Sequence, residues 1–134
     1  MSEAPLIAIV DDDELARDGI RDLVESLGYA AATFTSAERF LQSPVIAQAT
    51  CLITDLQMPG QSGLELQEAL RSRGYQMPVI LVTAYPNEQH RTRALNNGAV
   101  GFLSKPIDDR WLIECLTDAI KLRSSGVNLT RSRQ

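Results

Sequence analysis

Three consecutive aspartates, Asp11, Asp12 and Asp13, directly follow the apolar run "LIAIV" (6–10), and Asp55 directly follows "CLIT" (51–54). Thr83 closes "VILVT" (79–83), and Lys105 comes just after "VGFL" (100–103). Carboxylates brought close together disfavour one another's ionised form, so a cluster of them calls for a counter-charge. An oxygen-only donor set suits a hard divalent cation with room for water. That points to Mg²⁺ rather than zinc, which would favour histidine or cysteine. Each residue also has an ordinary reading. Aspartates at a helix start cap free N–H groups and favour the macrodipole. Asp55 before "LQMPG" can shape a turn, Thr83 is a good strand residue, and Lys105 before Pro106 can simply be solvated.

What separates the two readings is where the elements place these residues. The runs at 6–10, 29–34, 51–54, 79–83 and 100–103 are short, continuous and apolar, the pattern of strands covered on both faces. Between them lie helical patterns. Ala16, Ile20, Leu23, Val24 and Leu27 recur at three- and four-residue spacing before Gly28. Thr35 with Glu38, and Ser62 with Glu65, read as capping boxes. Asn87 is expected to start a fourth helix that Gly98 ends, and Asp108 a fifth carrying Leu112, Leu116, Ala119 and Ile120. Regular alternation of strand and helix implies an α/β fold, a parallel sheet with helices on both faces. Such sheets bind ligands beyond the carboxyl ends of their strands, where the strand order reverses. In a five-stranded sheet of order 2-1-3-4-5 the reversal lies between the first and third strands, so Asp11, Asp12 and Asp55 converge there. Thr83 and Lys105 share the same rim. Four ordinary positions falling on one edge favour a built site.

The chain has 134 residues, 44% hydrophobic and 22% charged, which is the size and composition of one soluble globular domain. Its formal charge of −4 and pI near 4.9 argue against direct binding to nucleic acid or anionic membrane. Cys51 and Cys115 lie in apolar runs, as small buried side chains do in a reducing compartment. "MSEAPLIAIV" lacks the basic region of a secretory signal, and no stretch reaches membrane-spanning length, so a cytoplasmic location is expected. His90, the one histidine, is expected to be solvated, and Tyr75 and Trp111 to pack against helices or loops. Residues 1–123 read as the domain and 124–134 as a polar tail or linker stub.

The motifs "IVDDD" (9–13), "LITDLQMPGQSGLEL" (52–66), "VILVTA" (79–84) and "GAVGFLSKP" (98–106) together resemble the receiver domains of two-component response regulators, most of all the branch of the nitrogen-fixation regulators. The resemblance runs from about residue 5 to 123 and implies a flavodoxin-like (βα)5 fold. It implies that Asp55 is the phosphoacceptor, that Asp11, Asp12 and Asp55 hold Mg²⁺ with the backbone carbonyl of Gln57, and that Thr83 and Lys105 contact phosphoryl oxygens. It implies that Phe102 is the aromatic switch position, responding with Thr83. It further implies a cis Lys105–Pro106 bond, a sensor histidine kinase as partner, and a face of the fourth helix, fifth strand and fifth helix that changes on phosphorylation and can form a homodimer. The residue types fit this chemistry independently, because phosphoryl transfer to a carboxylate asks for in-line placement, a metal and a fixed cation. Beyond its own modification, no enzymatic turnover is expected.

Two other readings compete with this one. A receiver-fold interaction module that works without phosphorylation would have no need of the complete set Asp11, Asp12, Asp55, Thr83 and Lys105. A phosphatase of the haloacid-dehalogenase type also uses a strand-end aspartate with Mg²⁺, but wants a second acid two residues on, where this chain has Gln57. Neither GxxxxGK[ST] nor GxGxxG occurs.

Overall fold

The computed structural model describes residues 4–125, with side chains through Leu122. Five parallel strands, β1 (Leu6–Val10), β2 (Ala30–Phe34), β3 (Cys51–Asp55), β4 (Val79–Thr83) and β5 (Gly101–Ser104), form one sheet of order β2-β1-β3-β4-β5. Five α-helices alternate with them: α1 (Glu14–Ser26), α2 (Ala37–Leu41), α3 (Gly63–Ser72), α4 (Glu88–Asn96) and α5 (Asp109–Ser125). This is the doubly wound arrangement that the sequence predicts. Of the expected tail, residues 126–134 lie outside the described residues.

The strands read as unbroken apolar runs because each buries both faces. Ile7 and Ile9 of β1, Cys51 and Ile53 of β3, and Ile80 and Val82 of β4 point toward α1 and α5, meeting Ile20, Val24, Leu112, Leu116 and Ala119. Ala8, Val10, Leu52, Val79 and Leu81 point the other way, toward α2, α3 and α4, meeting Phe40, Leu66, Leu70 and Ala94. The alternation of side chains along a strand thus feeds two separate cores.

Local chemistry sets most helix starts. Asp13 caps α1, its carboxylate accepting from Leu15 N at 3.3 Å, so the third aspartate does what a helix start asks. The Ser62–Glu65 box forms in both directions, at 3.1 and 2.8 Å. Asn87 accepts from His90 N at 2.8 Å, and Asp108 from Arg110 N at 2.9 Å. The expected box of Thr35 with Glu38 does not form. Ser36 is the extended cap residue and accepts from Arg39 N at 3.1 Å, which puts Glu38 one position short of closing a box. Gly28, Gly74 and Gly98 take φ of +92°, +84° and +92° directly after α1, α3 and α4, the left-handed stop that a side chain resists.

The 3₁₀ turn at Pro44–Ala47, capped by Ser43, has no counterpart in the sequence reading. Tyr75 packs against the core on the α2, α3 and α4 side. Trp111, expected to pack, is 57% exposed, because the inward stripe of α5 runs through Leu112, Leu116 and Ala119 and leaves the preceding position facing out. Cys51 is buried and Cys115 half-buried; burial pushes the Cys51 thiol up to about 12, so it is an inert core side chain. No helix among the described residues is long and apolar enough to cross a membrane.

Candidate functional site

Parallel pairing brings the strand ends into line. β1 pairs with β3 in the register Val10↔Thr54, so Asp11 and Asp55 come next on neighbouring strands. Asp55 is itself the last residue of β3 and pairs with Val82, while Thr83 pairs with Ser104. The ladder continues one bond past the strands: Asp11 N donates to Phe34 O at 3.1 Å, Leu56 N to Val82 O at 2.8 Å and Lys105 N to Thr83 O at 2.8 Å. Asp11, Asp55, Thr83 and Lys105 therefore leave a backbone that is already fixed.

At this rim Asp11, Asp12 and Asp55 each offer a carboxylate oxygen, all within 4.8 Å of one another. Lys105 Nζ lies 3.1 Å from Asp11 Oδ2 and 3.5 Å from Asp55 Oδ1. Asp11 is the best held of the acids. Its Oδ1 accepts from Asp13 N at 2.9 Å, its Oδ2 takes the lysine, and its backbone oxygen accepts from Arg17 Nη1 at 2.9 Å. Asp11 and Asp55 are buried and Asp12 is exposed.

The electrostatics follow from this crowding. Burial, then the charge of Asp11, pushes the Asp55 carboxyl from the ordinary 3.8 up to about 6; Lys105 offsets part of the rise and Asp12 adds to it. For Lys105, burial alone would lower the ammonium, but its hydrogen bond to Asp11 and the charges of Asp11 and Asp55 outweigh it and hold it above its usual range. Three carboxylates against one ammonium leave a formal −3 + 1 = −2 when all are ionised, which a single divalent cation matches. The donors are all oxygen, one from each acid and all close together, so the residues present fit a hard cation such as Mg²⁺.

The other expected residues sit around this centre. Thr83 is fully buried, and its Oγ1 accepts from Tyr85 N at 3.0 Å, which leaves its own proton free to donate. Ala84, Tyr85 and Gln57 are exposed at the rim. Phe102 is half-buried against the core on the α2, α3 and α4 side; it pairs with Leu81 on β4, two residues before Thr83. The Lys105–Pro106 peptide is cis. His90 takes no part in the cluster.

Sequence reading alone missed three supports of the site. Arg17 ties the first turns of α1 to the Asp11 backbone. Glu38 accepts from Gln61 N at 3.0 Å, across from α2 to the loop after β3. Gly63 packs so closely on the Asp55 carbonyl and the Leu56 backbone that a Cβ would collide with them; its N donates to Leu56 O at 2.8 Å. The glycines of "MPGQSG" are the one local signal for such a close approach.

The response regulator receiver domain family model matches residues 7–117. The transcriptional regulatory protein FixJ of Azorhizobium caulinodans is 40% identical over 113 residues, which cover 84% of this chain and 54% of that protein. The transcriptional regulatory protein TdiR of Thauera aromatica is 32% identical, covering 98% of this chain and 58% of its own length. The chain thus spans little more than half the length of these relatives. Among solved structures, the response regulator StyR superimposes with a TM-score of 0.85 at 35% identity, covering 92% of this chain and 63% of that one. The crystal structure of FixJ-N gives 0.79 at 31%, covering 90% and 96%. With its strand order, its rim of acids and these relatives in agreement, the chain belongs to the family of response regulator receiver domains.

Proposed function

We propose that this chain is the phosphoacceptor switch of a two-component system, taking a phosphoryl group on Asp55 from a sensor histidine kinase. The carboxylate of Asp55 attacks the phosphorus of a phosphohistidine; the new P–O bond forms as the P–N bond breaks, and the imidazole leaves to take up a proton. Lys105 pairs with one phosphoryl oxygen, and the Thr83 hydroxyl donates to another. Asp11, Asp12, Asp55 and the Gln57 carbonyl hold Mg²⁺, which when bound supplies the charge that makes the phosphoryl oxygens tolerable beside so many acids. Exposed Ala84 leaves the approach open, and Gln57 and Tyr85 flank the path by which water reaches the acyl phosphate.

The signal leaves by a different face. As Thr83 turns toward the added dianion, space opens for the Phe102 ring, and the surface of α4, β5 and α5 rearranges to engage an output partner or a second copy of the chain. The net charge of −4 argues that any contact with DNA is made by another chain or domain; relatives such as FixJ are named transcriptional regulators. A cytoplasmic location is part of this reading, in keeping with a sensor histidine kinase as the donor.

One observation supports this reading above the rest: the ammonium of Lys105 stands 3.1 and 3.5 Å from two of the clustered acids. The test is to incubate the protein with Mg²⁺ and acetyl phosphate or phosphoramidate and weigh it intact. A single phosphoryl adduct, absent in Asp55→Asn, is expected. No adduct would leave a phosphorylation-independent interaction module, and steady turnover of a phosphomonoester would make the chain a phosphatase. The switch itself is read by NMR: shifts at Phe102 and α4 that stay put when Asp55 is modified would remove it.

A further inference from the structure

The loop that leaves Asp55 runs from Leu56 to Ser62, and its near end is fixed. Leu56 N donates to β4, and the Met58 side chain is buried in the core. Its far end is fixed by three successive amides that end on three different acceptors. Gly63 N bonds to Leu56 O at 2.8 Å and Ser62 N to Glu65 Oε1 at 2.8 Å, both within the loop and the helix it enters. Gln61 N alone bonds to another element, to Glu38 Oε2 of α2 at 3.0 Å, across 23 residues of sequence. Gly60 beside it has φ +77°, and a Cβ there would stand 2.8 Å from the same carboxylate oxygen, so the backbone is drawn close against Glu38. The N–H of Glu38 itself, and then that of Gln61, hold this carboxyl below its usual range and keep it an anionic acceptor at neutral pH.

We propose that Glu38 is a positioning residue for the chemistry at Asp55. From α2, it clamps the far limb of the loop that presents the Gln57 carbonyl. The proposal rests on the reading of Asp55, Asp11, Asp12 and Gln57 as the Mg²⁺ and phosphoryl site. Gln57 is exposed between Leu56, held through its N–H, and Met58, held through its buried side chain; neither anchor bonds the Gln57 carbonyl itself, which leaves the tilt of its peptide to the limb that follows. Without Glu38, Gln61 N turns to water, and Pro59, Gly60 and Gln61 gain freedom that must be given up when the metal binds. The cost falls on metal affinity rather than on the fold, because Glu38 is exposed and both loop ends keep their own bonds.

The experiment measures Mg²⁺ affinity by calorimetry on the whole chain, together with hydrogen exchange at Gln61 and the rate of adduct formation from acetyl phosphate. In Glu38→Ala, Mg²⁺ binding is expected to weaken about fivefold, the order of one hydrogen bond. Gln61 exchange should rise, the adduct should form several-fold more slowly, and the melting temperature should hardly move. Glu38→Gln keeps an acceptor oxygen without the charge and should stay within about twofold of the parent. Unchanged Mg²⁺ affinity in Glu38→Ala, with the parent binding normally, overturns the proposal alone. A Glu38→Gln as weak as Glu38→Ala overturns it too, since plain charge would then be the cause. A parent that binds no Mg²⁺ and takes no phosphoryl group overturns the reading of the site beneath it.

Discussion

α4 and α5 both pack beside β5, yet they are held by different forces. α5 presses Leu112, Leu116 and Ala119 into a core shared with α1 and three strands, all of them essentially inaccessible to water. α4 buries Ala94 and no other side chain. Its attachment to α3 is a set of directional polar bonds. Gln67 Nε2 donates to Ala94 O at 3.0 Å, and Arg93 grips Glu68 through two bonds of 2.8 and 2.9 Å. Asn97 Nδ2 reaches the same carboxylate at 3.2 Å, while Arg71 donates to Asn97 Oδ1 at 3.1 Å. Beside this clasp runs an open groove of about 510 Å³ lined by Glu68, Glu88, Gln89, Thr92 and Arg93. Apolar burial is lost only when a helix leaves its core, whereas the bonds of this clasp, all but that of Gln67 at or near the surface, exchange for water at small net cost. A fold that must move one helix and keep the other can divide its forces in this way.

The largest effect tests the apolar side. Leu116→Ala removes a fully buried side chain and is expected to cost about 2 to 5 kcal/mol in urea unfolding, with adduct formation at Asp55 intact below the transition. A loss under about 1 kcal/mol would erase the contrast with α4. Next comes the rim that both helices border. Asp55 has a folded pKa of about 6, raised above its ordinary 3.8, so the stability tied to its protonated form is present at low pH and lost as pH rises through 6. In chelator at pH 7.5, Asp55→Asn should therefore gain stability, by at most about 3 kcal/mol since each pKa step is worth 1.36. The gain should shrink toward pH 4. A gain independent of pH would show that burial and the charge of Asp11 are not its source.

How legible this contrast is in the sequence depends on how local its causes are. Strands covered on both faces must be apolar throughout, so "LIAIV" and "VILVT" announce themselves, and Asp11, Asp55, Thr83 and Lys105 follow from standing at their ends. The box of Ser62 with Glu65 is readable because both partners lie within one turn. Thr35 and Ser36 are both competent caps, and which one takes the role is decided by where β2 releases the chain. Trp111 misleads because it stands next to Leu112, and a helical stripe leaves one of two neighbours outside. Contacts such as Glu38 with Gln61 or Gln67 with Ala94 join residues 23 and 27 apart. Nothing within either segment records the other.

Smaller effects probe the polar side directly. Gln67 is buried, and its Oε1 has no hydrogen-bond partner among the described residues, so only its amide nitrogen is used. Gln67→Leu removes the idle oxygen along with the donor, while Ala94 O keeps Ala99 N as a donor at 3.0 Å. Global stability should then change by less than about 1 kcal/mol, and hydrogen exchange should accelerate in α4 but not in α5. Equal acceleration in both helices would mean that they open as one unit.

The smallest change in global stability should come from Arg93→Ala. Its pair with Glu68 has both side chains substantially exposed, at 50% and 40%, where ion pairs contribute about 0.2 to 1 kcal/mol and salt screens them. Unfolding midpoints should hardly move. Yet the same substitution also strips Glu68 of its strongest partner and leaves Asn97 to hold it alone, so the clasp loses its two shortest bonds together. Amide exchange along α4 should therefore rise severalfold at low salt. Raising the salt in the parent should approach the same rate, because screening weakens the bond that the substitution deletes. α5, anchored by apolar burial that moderate salt leaves in place, should exchange alike in both proteins. If α4 in the parent proves indifferent to salt while Arg93→Ala still loosens it, the guanidinium is acting through packing along its stem rather than through charge, and the division between an electrostatic helix and an apolar one fails at its polar end.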